Sequence, residues 1–295
     1  MPTFLDPGVL AAVSDLELIA RTVVDGFVAG LHRSPDFGFS QEFAEYRAYS
    51  PGDDLRHVDW NVFARTERAY LKRFRGETNS QLTILLDASR SMQFQTAAVS
   101  KMDYARFLAA TLLYLGLQHQ RDAAGLIVFD DTVREFVRPS TRAGQLSRLL
   151  AALDHATPGA QTQLASALAH FQEFLHRRGL VVVISDFYAP PEEVVRTIEP
   201  LRFHGNEVVL LHVLDPGELE PKLDGPVLLV DLETRQRMEV TADYARLEYA
   251  AKLRSHLDLL AERARGAGLD YFLLSTAKPL DFALREYLAL RQRRN

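Results

Sequence analysis

The chain contains no cysteine. That excludes disulfides, thiolate nucleophiles and zinc sites built on cysteine. Positive charge is in deficit: 34 Lys and Arg face 39 Asp and Glu, giving a net charge of −5 and a pI of about 6.0. Nothing in that balance draws the protein to nucleic acid. The basic run Arg291-Gln292-Arg293-Arg294 reads as the solvated end of a helix. Long apolar runs are missing too, with no stretch approaching the ~20 residues that span a bilayer. The first ten residues carry Asp6 and Pro7 and lack a basic segment followed by an apolar one. No signal peptide is expected, and the expected location is the cytoplasm. None of the nine histidines falls in a His-Glu-x-x-His spacing. Neither a phosphate-cradling Gly-x-x-x-x-Gly-Lys loop nor a Gly-x-Gly-x-x-Gly turn is present.

What remains is a composition of 47% hydrophobic and 25% charged residues over 295 positions. That is the profile of a soluble globular protein, long enough for one large domain or for a domain with an accessory region. An amphipathic helix is expected from Ser14 to about Leu31, with Leu16, Ile19, Ala20, Val23 and Phe27 on one face and a Ser14/Glu17 capping box. Residues 32 to 80 mix glycine, proline, aromatic and charged residues without a period. They read as a compact accessory region ending in a strand near Tyr70–Arg75.

From residue 81 the pattern becomes regular. Apolar strands are predicted at Leu82–Asp87, Ala123–Phe129, Leu180–Ser185, Val208–Leu214 and Tyr271–Leu274, with a further strand at Thr132–Val137. Helices are predicted at Ser100–Gln118, Gly144–Leu153, Gln163–Arg177, near Pro191, at Tyr244–Arg265 and from Phe282. Residues 226–241 alternate as a peripheral β-hairpin. The expectation is an α/β protein: an accessory region over 1–80, then a doubly wound, mostly parallel sheet over 81–295.

In such sheets, ligands bind beyond the carboxyl ends of the strands. Three oxygen-rich features fall there: Asp87-Ala88-Ser89-Arg90-Ser91, Thr162, and Asp186. Each alone is equally readable as a helix N-cap. Together they form two carboxylates and three hydroxyls, a hard-oxygen set suited to magnesium, manganese or calcium and poorly suited to zinc.

Asp87-x-Ser89-x-Ser91, Thr162 and Asp186 resemble the metal-ion-dependent adhesion site of von Willebrand factor A domains. In place of the frequent Gly-Gly-Thr, this chain has Ala160-Gln161-Thr162. A second resemblance runs from Ser34-Pro35-x-Phe37-Gly38 through Gln41-Glu42-Phe43-x-x-Tyr46-Arg47-x-Tyr49-x-Pro51-Gly52-Asp53-Asp54-x-Arg56-x-x-Asp59-Trp60 to Ala64-Arg65. This segment is similar to the signature of a bacterial family known as domain of unknown function fifty-eight. Its members are von Willebrand A-like and are often encoded beside MoxR-type AAA+ ATPases. The resemblance implies a magnesium ion (or manganese or calcium) on those five residues, no catalytic residue, and partners that donate an acidic side chain. It also implies a MoxR-type ATPase as partner or co-worker in chaperone-like maturation of a client protein.

The charged residues of the signature are readable as a salt-bridged network anchored by Phe43, Tyr46 and Trp60, or as a docking surface. The alternative function is a metal-dependent hydrolase or phosphatase with Asp87 as nucleophile. Phosphatases of that kind carry Asp-x-Asp-x-Thr where this chain has Asp87-Ala88-Ser89.

Overall fold

The computed structural model describes residues 6–31, 43–48, 62–63, 65, 68–74, 81–159, 178–203, 205–222, 225–231, 236–241, 244 and 248–292. The predicted helix over Gln163–Arg177, Thr162, and most of the signature segment lie outside these residues. The chain divides into two compact units, residues 1–27 with 80–295, and residues 28–79.

Within 28–79, β1 (Phe43–Ala48) pairs antiparallel with β2 (Tyr70–Phe74), with an irregularity between Phe43 and Glu45. In the larger unit, α1 (Pro7–Leu10) is followed by α2 (Leu16–Leu31). The five residues expected on one face of α2 are all buried. Its cap differs from the expected capping box: Asp15, not Ser14, accepts hydrogen bonds from the backbone N–H groups of Glu17 (2.8 Å) and Leu18 (3.2 Å). A carboxylate at a helix start gains from the positive end of the dipole as well as from the bond, which favours it over a hydroxyl.

The sheet has six strands: β3 (Gln81–Asp87), β4 (Ala123–Phe129), β5 (Val133–Ser140), β6 (Gly179–Ser185), β7 (Glu207–Leu214) and β10 (Asp270–Ser275). Their spatial order is β10-β7-β6-β3-β4-β5, and only β5 runs antiparallel to its neighbour. The central strands read as unbroken apolar runs because both faces are covered. On one face Leu85, Ile127, Val183 and Leu210 pack with Val194 and Ile198 of α5 (Pro191–Ile198) and Leu260 of α8 (Ala250–Gly266). On the other lie α3 (Lys101–Tyr114) and α4 (Gln145–His155). Each buried Leu, Ile or Val contributes roughly 1.5–3 kcal/mol, so this sheet holds together without help from its upper loops.

The helices α6 (Pro200–Phe203) and α7 (Pro216–Leu219) are short connectors, and α9 (Leu280–Gln292) closes the described chain. The predicted hairpin is present as a separate two-stranded sheet, β8 (Val227–Val230) with β9 (Arg237–Val240). The helix predicted over Ser100–Gln118 is α3 as far as Tyr114 and continues as a wider helical segment, Leu115–His119, where Gly116 lies against Leu82. The helix predicted from Tyr244 is regular from Ala250, and Tyr244 and the wider turn at 248–249 are helical as well.

Candidate functional site

Strands β3 and β6 are parallel neighbours paired from Gln81↔Gly179 to Leu86↔Ile184. Their carboxyl ends therefore deliver Asp87 and Asp186 side by side. Both are buried, at 0% and 2% exposure. The Asp87 carboxylate accepts from the Ser89 backbone N–H (2.8 Å) and from the Ser185 hydroxyl (2.6 Å). Burial and, next, the negative charge of Asp186 push the Asp87 carboxyl up to about 7. Ser89 precedes a short 3₁₀ turn, Arg90–Gln93, but its side chain makes no cap bond. Its Oγ lies 2.9 Å from the Oγ of Ser91. Asp186 does not cap α5 either: Pro190 holds that position and makes no side-chain bond. The capping alternatives for Ser89 and Asp186 therefore lose their support, and Asp87, Ser89, Ser91 and Asp186 stand at the ends of two adjacent strands.

Thr162 lies outside the described residues, but the segment leading toward it is placed. The Gly159 N–H donates to the carbonyl of Ala88 (2.7 Å), which docks that loop on the Asp87–Ser89 turn. A Cβ on Gly159 would collide with the Asp130 carboxylate. Asp130, at the end of β4, is itself fixed by the Thr132 N–H (2.9 Å) and Arg134 Nε (2.7 Å). Burial raises its carboxyl, but the hydrogen bonds it accepts, that from Arg134 foremost, outweigh this and hold it low.

Two further buried charged residues at this end of the sheet, Lys101 and Glu218, are not among the site residues expected from the sequence. The Lys101 ammonium, 0% exposed, donates to Asp186 Oδ2 (2.8 Å) and to Glu218 Oε1 (2.7 Å). Its Nζ lies 4.8 Å from the Tyr188 ring centroid and 5.9 Å from that of Phe94. Glu218 closes a capping box on α7, accepting from the Asp215 N–H (2.9 Å). Asp215 in turn accepts from the N–H groups of Thr96, Ala97 and Gly217 and from the Thr96 hydroxyl. Burial raises Asp215, but these donors, led by Thr96, hold its carboxyl low. The β3 loop and the β7 loop are thus tied together around the carboxyl ends of the sheet. Beneath them His212 is buried against Tyr271, its Nδ1 2.8 Å from the hydroxyl, and burial drives the ring down to about 3. It stays neutral at ordinary pH.

Among the described residues, no cluster of three or more His, Cys, Asp or Glu side chains is arranged to hold a metal ion. The set here is of another kind, two carboxylates with two hydroxyls. Its chemistry fits a hard divalent cation, which takes carboxylate, hydroxyl and water oxygens. The excess of buried negative charge fits as well.

The model of a family described as "Protein of unknown function DUF58" matches residues 45–258. The chain belongs to this family. An uncharacterized protein of Mycobacterium tuberculosis is 30% identical over 98% of this chain and 91% of its own length. An uncharacterized protein of Mycobacterium avium is 32% identical over 44% of this chain and 77% of its own. Among solved structures, the chain is similar to an aerotolerance-related membrane protein from Bacteroides fragilis, with TM-score 0.50 and 18% identity, covering 70% of this chain and 96% of that one. That similarity extends to the fold alone. The VWA domain of SpRpn10 is also similar, with TM-score 0.42, 10% identity and coverage of 70% and 94%. The DUF58 membership and the six-stranded α/β sheet agree with the family and fold expected from the sequence. Among the described residues, no helix is long and apolar enough to cross a membrane.

Proposed function

We propose that this DUF58 protein is a divalent-metal-dependent protein-binding module, acting in the cytoplasm. Asp87, Ser89, Ser91 and Asp186, with Thr162, would hold the ion, magnesium before manganese or calcium. Magnesium keeps part of its water shell, so an acidic side chain from a partner can replace a water and complete the coordination. The observation that carries this reading is the burial of Asp87 and Asp186 at adjacent strand ends beside the Ser89 and Ser91 hydroxyls, 2.9 Å apart. The family resemblance points to a MoxR-type AAA+ ATPase as that partner or co-worker, in chaperone-like maturation of a client.

The hydrolase alternative has less support: phosphatases that use such an aspartate carry a second Asp two residues on, where this chain has Ser89.

Calorimetric titration with magnesium and manganese tests the reading, with Asp87→Ala as control. The parent is expected to take up one ion saturably. The variant, stripped of one of the two carboxylates, should lose at least about a hundredfold in affinity, beyond the roughly 10–100-fold seen for outer-shell losses. Uptake by the variant equal to the parent's would sink the proposal. Capture of a MoxR-type ATPase with and without chelator then tests the partner.

A further inference from the structure

Lys101 sits where two local rules oppose it. It is the first residue of α3, capped by Ser100, whose Oγ accepts from the Asp103 N–H (3.0 Å). The positive end of the helix dipole disfavours a cation there. Burial disfavours it again, because an ammonium removed from water loses several kcal/mol of hydration. What holds it is the pair of carboxylates at 2.8 and 2.7 Å. A buried ion pair of this kind adds little net stability over apolar packing of the same volume. Its presence calls for another reason.

The charges supply one. Lys101 joins Asp186 and Glu218, and Asp87 ends the strand paired beside that of Asp186, so three buried carboxylates and one cation share this end of the sheet. Fully ionised, the group carries two negative charges in excess, the charge of one divalent ion. Asp215 stands apart, because its oxygens are satisfied by neutral N–H and O–H donors.

We propose that Lys101 is the built-in counter-cation of the site: shared between Asp186 and Glu218, it sets the residual negative charge that a metal ion meets. The inference rests on the metal-binding reading above and adds a charge-setting role to it. It makes affinity follow charge in a definite order. Removing the ammonium raises the residual charge and tightens binding. Neutralising Glu218 while keeping its shape lowers that charge and loosens binding.

The test is calorimetric titration of manganese into the full chain, comparing the parent with Lys101→Met, Glu218→Gln and Asp87→Ala. Lys101→Met should bind manganese at least about tenfold more tightly, and Glu218→Gln at least about tenfold more weakly, the water-like limit for one unit charge about 6 Å from a dication. Glu218→Gln keeps one of the two acceptor oxygens that face Lys101 and the Asp215 N–H, and its melt in chelator shows whether it folds, so it reads the charge even if Lys101→Met does not fold. Thermal melts in chelator should show Lys101→Met less stable than the parent, with Glu218→Gln on the same chain restoring part of the loss. A parent that binds, combined with weaker binding in Lys101→Met or an unchanged Glu218→Gln, overturns this inference alone and leaves Lys101 a tether for Asp186. A parent that takes up no manganese overturns both readings.

Discussion

At the level of single residues, Asp87 shows how a binding site works against its own fold. Its carboxyl is raised from the ordinary 3.8 to about 7, by burial first and by Asp186 second. A group whose folded value lies above its unfolded one binds protons more tightly when folded. Its stabilising contribution is full below about pH 4 and is lost as pH rises through 7. Near pH 8, without metal, the ionised carboxylate therefore destabilises the protein, on the order of a few kcal/mol from a shift of this size. Asp87→Asn keeps the acceptor for the Ser89 N–H and removes the charge. In chelator at pH 8 that variant is expected to melt above the parent while binding no magnesium. The gap should close as the pH is lowered toward 5. Melting below the parent at pH 8 would show that the charge is not the dominant cost.

At the level of elements, the loops that meet at the strand ends depend on close approach. Gly159 bonds to Ala88 while its Cα faces the Asp130 carboxylate, and no side chain fits between them. Gly159→Ala must shift either the loop or Asp130, which Arg134 and Thr132 hold in place. The expected cost is about 1–3 kcal/mol, as for other overpacked sites, with weaker metal uptake. Gly266→Ala, in the last turn of α8 with open space around it, is the control and should be neutral or slightly stabilising. Equal melts for both variants would remove the loop from the account.

The same scale separates what the sequence reveals from what it hides. The strands were legible because a strand covered on both faces must be a continuous apolar run, and Leu82–Leu86 and Val181–Ile184 are such runs. Asp87 and Asp186 were legible because they close those runs, and Ser89 and Ser91 followed from their spacing. Lys101 left one faint signal, a lysine opening a helix at the end where a cation is disfavoured. Glu218 was readable as a capping-box residue from Asp215-Pro216-Gly217-Glu218, yet its second oxygen reaches Lys101, a residue 117 positions away. No local pattern encodes a contact of that span. The cap of α2 was misassigned for a related reason: Ser14 and Asp15 are both good caps, and only the backbone geometry selects between them.

At the scale of the whole molecule, the sheet and the site are energetically separable. The core is apolar and spans five parallel strands, whereas the charged group sits above it at the strand ends. Metal should therefore act by mass action on a chain that is already folded, unlike small zinc domains in which metal binding is folding. An ion at a hundred times its dissociation constant adds about 2.7 kcal/mol, or a few degrees for a chain of this size. Far-ultraviolet circular dichroism should be the same in chelator and in magnesium, with only the melting temperature rising. Loss of helix and strand signal on chelation would make the ion structural and would argue against an exchangeable position for a partner. The net charge of −5 sharpens the expectation for binding. An acidic segment approaching this protein is repelled until a dication neutralises the excess negative charge at Asp87 and Asp186 and offers it a ligand position. Partner capture should then require the ion and weaken as salt screens the contact, whereas association through the exposed apolar residues of the β8–β9 hairpin, Leu228, Leu229 and Met238, would persist in chelator and strengthen with sulfate.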